Sequence, residues 1–110
     1  MSYTFLIKII TLFLTCADER EAEDISDALL KKKLVACIKK TKVKSSFLYK
    51  GRVDEAEEVL LIMESVEEKF STIEKEVRKI HSYKTFVLLA SPIIKSSKGV
   101  KEWMKTEIVK

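Results

Sequence analysis

Apolar positions along the chain change period five times, and each change marks the end of an element. In IITLFLTC and the residues before it, both parities are apolar: Ile9 and Phe13 on one side, Ile10, Leu12 and Leu14 on the other. That pattern predicts a strand over 5–15 that is covered on both faces. DEREAEDISDALLKKK follows with a helical period, placing Ala22, Ile25 and Leu29 on one face. Asp18 is the predicted N-cap, with Glu21 completing a capping box. Acids crowd the first turns and Lys31, Lys32 and Lys33 the last, in favourable opposition to the helix dipole.

A second strand is expected from about Val35 to Tyr49, with Val43, Phe47 and Tyr49 alternating with polar positions. At about 3.3 Å per residue it exceeds 40 Å, more than one small domain needs, so it should bend or reach beyond its own subunit. Lys50-Gly51 begins a turn. EVLLIMES (58–65) is again apolar on both faces, and Ser65 with Glu68 suggests a second capping box. Phe70, Ile73, Val77 and Ile80 form an amphipathic stripe ending near His81. A fourth strand is expected at TFVLLAS (85–91). After Pro92 and a Lys/Ser/Gly loop, a last helix presents Val100, Trp103, Met104 and Ile108.

The order β-α-β-β-α-β-α matches the split βαβ plan, an α+β ferredoxin-like sandwich. Right-handed crossovers place both main helices on one face of the sheet. Strands with two apolar faces then leave an uncovered apolar sheet, the mark of an interface. With 110 residues, one domain over 1–110 is the expectation. No stretch reaches the length of a transmembrane helix. Lys8 interrupts the apolar run FLIKIITLFL at 5–14, which argues against a signal peptide. A cytoplasmic protein without membrane association is expected.

Composition changes this picture in two places. The 21 basic and 17 acidic residues interleave, so the net charge of +4 argues for a solvated mixed surface and against a nucleic-acid partner. The RNA-binding alternative rests on Lys39, Lys40, Lys42 and Lys44 beside Phe47 and Tyr49, without the aromatic-glycine pattern of RNA-recognition sheets. Asn and Gln are absent altogether while Lys and Glu abound, a compositional sign of heat resistance.

Candidate chemistry is sparse. His81 is the single histidine, and Cys16 and Cys37 are the two cysteines. Imidazole and thiolate suit Cu²⁺ and Zn²⁺. A cap at a helix end explains His81 equally well, and Cys37, between Ala36 and Ile38, suits a buried apolar role. Cys16 stands at a predicted helix start, where a thiolate is favoured. No triad, carboxylate dyad or glycine-rich phosphate loop is present, so no enzyme activity and no required cofactor are expected.

Seven segments in order, TCADE (15–19), KKKLVACI (31–38), FLYKG (47–51), EVLLIMES (58–65), HSY (81–83), LLASPI (88–93) and VKEWM (100–104), resemble the CutA divalent-ion tolerance family. The resemblance implies a ferredoxin-like subunit in a tight homotrimer, with strands pairing between subunits. It also implies an architecture akin to the nitrogen-regulatory PII trimers, a link to copper and other divalent ions, and no established reaction. On the matching positions, His81, Cys16 and Cys37 are the candidate metal ligands, and Tyr49, Lys50 and Tyr83 the candidate ligand-binding residues of an inter-subunit cleft. A non-metal small-molecule sensor of PII-like architecture is the alternative. The chain departs from the family pattern where Ser82, Lys84, Phe86 and Val87 replace Pro, Glu, Pro and Glu, where Leu48 replaces an aromatic, and where Ala17 replaces Pro. Val87 removes the acidic position nearest the cleft.

Overall fold

A computed structural model describes residues 7–109. Its elements are β1 (Ile9–Cys16), α1 (Glu19–Lys31), β2 (Cys37–Tyr49), β3 (Arg52–Val66), α2 (Phe70–Ile80), β4 (Leu88–Pro92) and α3 (Val100–Met104). Residues 5 and 6 of the first predicted strand lie outside the described residues. The four strands form one antiparallel sheet in the order β2-β3-β1-β4, the ferredoxin-like arrangement.

Both main helices lie side by side on one face of that sheet. Alternation sends Ile10, Leu12, Leu14 and Cys16 of β1 toward them, together with Val59, Leu61 and Met63 of β3. These pack on Ala22, Ile25 and Leu29 of α1 and on Ile73 and Val77 of α2. Each buried aliphatic side chain contributes about 1.5–3 kcal/mol. A second small cluster joins Ile7, Ile9 and Val66 to Met104 and Ile108, so the C-terminal helix covers one end of the opposite face. Among the described residues nothing covers the rest of that face. One row across it runs Lys39, Ile62, Phe13 and Leu89, with Phe13 37% and Leu89 59% exposed.

The first helix starts as its sequence predicts: Asp18 Oδ1 accepts from the Glu21 amide at 2.8 Å. Its last turn is closed by a lysine, because Lys33 adopts the left-handed conformation at φ 57° that glycine usually supplies. Lys32 then reaches Glu76 of α2 at 2.8 Å.

Three expectations are corrected. The third strand starts at Arg52 rather than 58, because every residue from Arg52 to Glu58 pairs with β2, from Tyr49↔Arg52 to Val43↔Glu58. A backbone ladder forms there regardless of the polar side chains. The Ser65–Glu68 capping box does not form. Ser65 is still in the strand, its hydroxyl donates to the Leu34 carbonyl at 2.6 Å, and a single 3-10 turn, Glu67–Lys69, leads into α2. The fourth strand is Leu88–Pro92 rather than 85–91, since the chain before it is occupied elsewhere.

The long second strand does project. The β2–β3 hairpin pairs with β1 only from Val59 onward, so residues 43–58 extend past the sheet as a free two-stranded arm. It closes on Lys50 and Gly51, both at positive φ, as a two-residue hairpin loop requires. The arm stretches the molecule to 52 × 26 × 21 Å and its radius of gyration to 15.1 Å. A compact chain of this size has about 13 Å.

Candidate metal centre

The site is built where β1 ends, α1 begins and the chain leaves α2. Cys16 is the last residue of β1 and points into the helix-covered core. Glu21, in the first turn of α1, is buried, its carboxylate held by the Ala17 and Ser82 amides. His81 is the C-cap of α2, its amide bonded to the Val77 carbonyl at 2.8 Å. One donor atom from each of these three residues lies within 4.8 Å of the others.

The imidazole is enclosed, its side chain 0% exposed. Nδ1 accepts from the Tyr83 amide at 3.1 Å, and an amide nitrogen can only donate. Nδ1 is therefore bare, and Nε2 carries the proton and donates it to the Thr15 carbonyl at 2.8 Å. Phe86 stacks on the ring at 5.1 Å, and Arg78 lies over Phe86. Phe86, in place of the proline of the family pattern, thus roofs the histidine.

Glu21 accepts two amide bonds, Ala17 N–H to Oε2 at 2.8 Å and Ser82 N–H to Oε1 at 2.7 Å. In the ordinary capping box it would reach only the N-cap amide. Burial pushes its carboxyl up, but the hydrogen bonds from Ala17 and Ser82 outweigh this and hold it below the usual carboxylate range. Oε2 stands 3.4 Å from the bare Nδ1 with no proton between them. Nδ1 spends its one lone pair on the Tyr83 amide and Oε2 one of its own on the Ala17 amide, so a cation entering here displaces the Tyr83 amide from Nδ1.

Cys16 corrects an expectation. Burial first, then the negative charges of Glu21, Glu58 and Asp18, push its thiol up to about 12. Its position at the helix start does not yield a thiolate, because the thiol is sealed in the core among carboxylates. A thiol, an imidazole and a carboxylate are nonetheless a donor set that Zn²⁺ and Cu²⁺ accept.

The remaining candidates lie elsewhere. Cys37 is half-buried at the start of β2, opposite Glu64, with Lys39 Nζ 3.5 Å from its sulfur, and it stands outside the trio. It is not the buried core residue its neighbours suggest, because alternation turns it to the open face of the sheet. Tyr83 donates to Glu58 at 2.8 Å. Burial, then that bond, push its phenol up to about 12. Tyr49 and Lys50 sit at the arm's tip, the ammonium 5.3 Å from the ring. The tip is six residues from Glu58 along β3, about 20 Å away. Within one chain, therefore, Tyr49 and Lys50 do not meet Tyr83. A cleft of about 460 Å³ lies between α1 and the base of the arm, lined by Asp18, Glu19, Lys42, Lys44 and Glu58 among others.

Glu21 is the site residue that sequence reasoning missed. Its spacing from Asp18 signalled a helix cap, and that reading is correct as far as it goes. Only the return of the chain at Ser82, 61 residues later, brings it to His81.

A ferredoxin-like sandwich with an enclosed Cys/Glu/His cluster at one end and a projecting hairpin arm is the class of protein these features define. The profile of the family described as CutA1 divalent ion tolerance protein matches residues 10–107, and the chain belongs to that family. The divalent-cation tolerance protein CutA of Archaeoglobus fulgidus is 36% identical over 93 residues, covering 84% of this chain and 91% of that protein. The structure of the periplasmic divalent cation tolerance protein CutA from Archaeoglobus fulgidus superposes with a TM-score of 0.88 at 33% identity, covering 91% of this chain and 98% of the other. CutA1 from the psychrotrophic bacterium Shewanella sp. SIB1 superposes with a TM-score of 0.86 at 27% identity, covering 90% of this chain and 94% of the other. The Xenopus laevis CutA homolog is 29% identical over 93 residues, and the match covers 84% of this chain and 62% of that protein.

Proposed function

We propose that this protein is a homotrimeric, non-catalytic binder of Cu²⁺ or Zn²⁺ that serves divalent-ion tolerance, holding the ion through His81, Cys16 and Glu21. The observation that carries the reading is the close approach of three unlike donors within 4.8 Å, with Nδ1 and Oε2 3.4 Å apart and neither carrying a proton. Because Cys16 is a neutral thiol, binding through it releases a proton, and affinity rises with pH. Affinity is modest: Val87 offers no carboxylate toward the cleft, and Lys84 repels a cation. Cys37 is the poorer ligand, being outside the trio.

Calorimetric titration of wild type, His81→Ala and Cys16→Ser with Cu²⁺ and Zn²⁺ tests this. Both variants should lose binding. Wild-type affinity in His81→Ala would remove His81 from the site, and no binding above surface background in any of the three would remove the metal reading.

Trimerisation is supported by the uncovered row of Phe13, Ile62 and Leu89 and by the arm with Leu48 79% and Val53 72% exposed. An arm from one subunit reaching the next would also bring Tyr49 and Lys50 toward another copy's Tyr83. The cleft beside Glu58 favours the second reading, a PII-like sensor of a small molecule, tested by native mass spectrometry of what co-purifies. RNA is disfavoured, because Lys39, Lys40 and Lys42 pair with Glu64, Glu23 and Glu19. Among the described residues no helix is long and apolar enough to cross a membrane. The two unpaired cysteines support the cytoplasm as its compartment, and cell fractionation tests that placement.

A further inference from the structure

The residues that would hold the ion are the same ones that dock the segment between α2 and β4. Ser82 N–H rests on Glu21, Tyr83 N–H rests on His81 Nδ1, the Tyr83 hydroxyl rests on Glu58, and Phe86 stacks on the imidazole. Carboxylate oxygens have two lone pairs each, so Glu21 can keep its amide bonds and still ligate. The neutral imidazole has one. With Nε2 committed to Thr15, Nδ1 is the ring's only ligating atom, and the Tyr83 amide already occupies it.

We propose that the 82–87 segment is a latch that a divalent cation releases: occupation of His81 Nδ1 expels the Tyr83 amide and undocks Tyr83 and Phe86 from the site. This inference rests on the metal reading of the Cys16–Glu21–His81 trio and adds its regulation.

The exchange is feasible because the released groups have somewhere to go. Ser82, Tyr83, Lys84 and Thr85 are exposed, so the freed amide meets water rather than the core. The imidazole stays anchored by Nε2 to β1, which keeps the ligand in place while the latch leaves. Undocking uncovers Glu58, which lines the cleft beside α1, so the state of the trio reaches a surface that another molecule can read. Tyr83 therefore acts as a positioning residue, holding the empty site shut.

Two measurements on the full-length protein test the latch, with Zn²⁺ as the probe because it is redox-inert. Hydrogen exchange of the peptide spanning 82–88 should speed up on Zn²⁺ addition, while β1 and β3 stay protected. Tyr83→Phe removes the Glu58 bond without touching a ligand. It should bind Zn²⁺ about three- to tenfold more tightly, the equilibrium equivalent of one hydrogen bond. If Zn²⁺ binds wild type but exchange over 82–88 is unchanged or slowed and Tyr83→Phe gains nothing, the latch is wrong and the metal site stands. If Zn²⁺ binds neither protein, the metal reading fails and the latch with it.

Discussion

Cys16 shows how far a single residue's chemistry is set by what surrounds it. Helix starts favour thiolates, yet here burial and three carboxylates keep the sulfur protonated. In a Cys37→Ser background, Ellman's reagent should leave Cys16 untouched in the folded protein at pH 8 and titrate it only on unfolding. The raised value also fixes a sign. The unfolded thiol ionises near its ordinary 9.0 and the folded one near 12, so the unfolded state releases its proton first and stability falls as pH rises between those values. Urea denaturation at pH 8 and pH 11, compared with Cys16→Ala, isolates this contribution. Glu21 works in the opposite direction. Its folded value is lowered, so its contribution is complete above its ordinary 4.5 and is lost as pH falls below that. Glu21→Gln keeps the shape but turns an NH2 donor toward either the Ala17 or the Ser82 N–H, since only one of its two terminal atoms is an oxygen. It should cost about 1–3 kcal/mol in chemical denaturation, the penalty for stranding buried donors.

At the scale of elements, local signals succeeded where the chain makes its own contacts. Asp18 caps α1 through an intrahelical neighbour, and Asp18→Ala should cost about 1 kcal/mol by the same measurement. The turn at Lys50-Gly51 was legible because only a tight, left-handed bend joins two strands there. A Cβ on Gly51 would meet nothing within 4 Å, so Gly51→Ala costs only backbone strain, about 1 kcal/mol. Signals failed where a distant segment decided. Ser65 reads as a helix cap, but the Leu34 carbonyl, 31 residues away, captures its hydroxyl and keeps it in the strand. Residues 52–58 carry five charges in seven positions and read as a loop, yet a partner strand makes them a ladder.

For the whole molecule, the uncovered sheet face and the arm are the features that call for a partner, and a second and third copy are the proposed ones. Light scattering at micromolar concentration should give a particle near three times 12.7 kDa, and a clean monomer would sink the proposal. Phe13→Asp, at the centre of the open row, should dissociate it, because a desolvated charge costs several kcal/mol in each contact. Calorimetry should place unfolding above about 65 °C, the top of the usual mesophile range. Its basis is the Lys/Glu-rich surface without amides and the added stability of assembly.

The amino-acid sequence by itself determined the order of elements, most residues of the core and the excess length of the second strand. Each is carried by periodicity, which any stretch of about ten residues displays without knowing its neighbours. It also presented His81 and Cys16 as ligand types. Tertiary structure decided the rest: that these two meet, that Glu21 joins them, that Cys37 does not, and that the thiol is neutral. Distances across 61 residues and the dielectric around a sulfur depend on how β1, α1 and the segment after α2 pack together, and no local pattern in the chain encodes that.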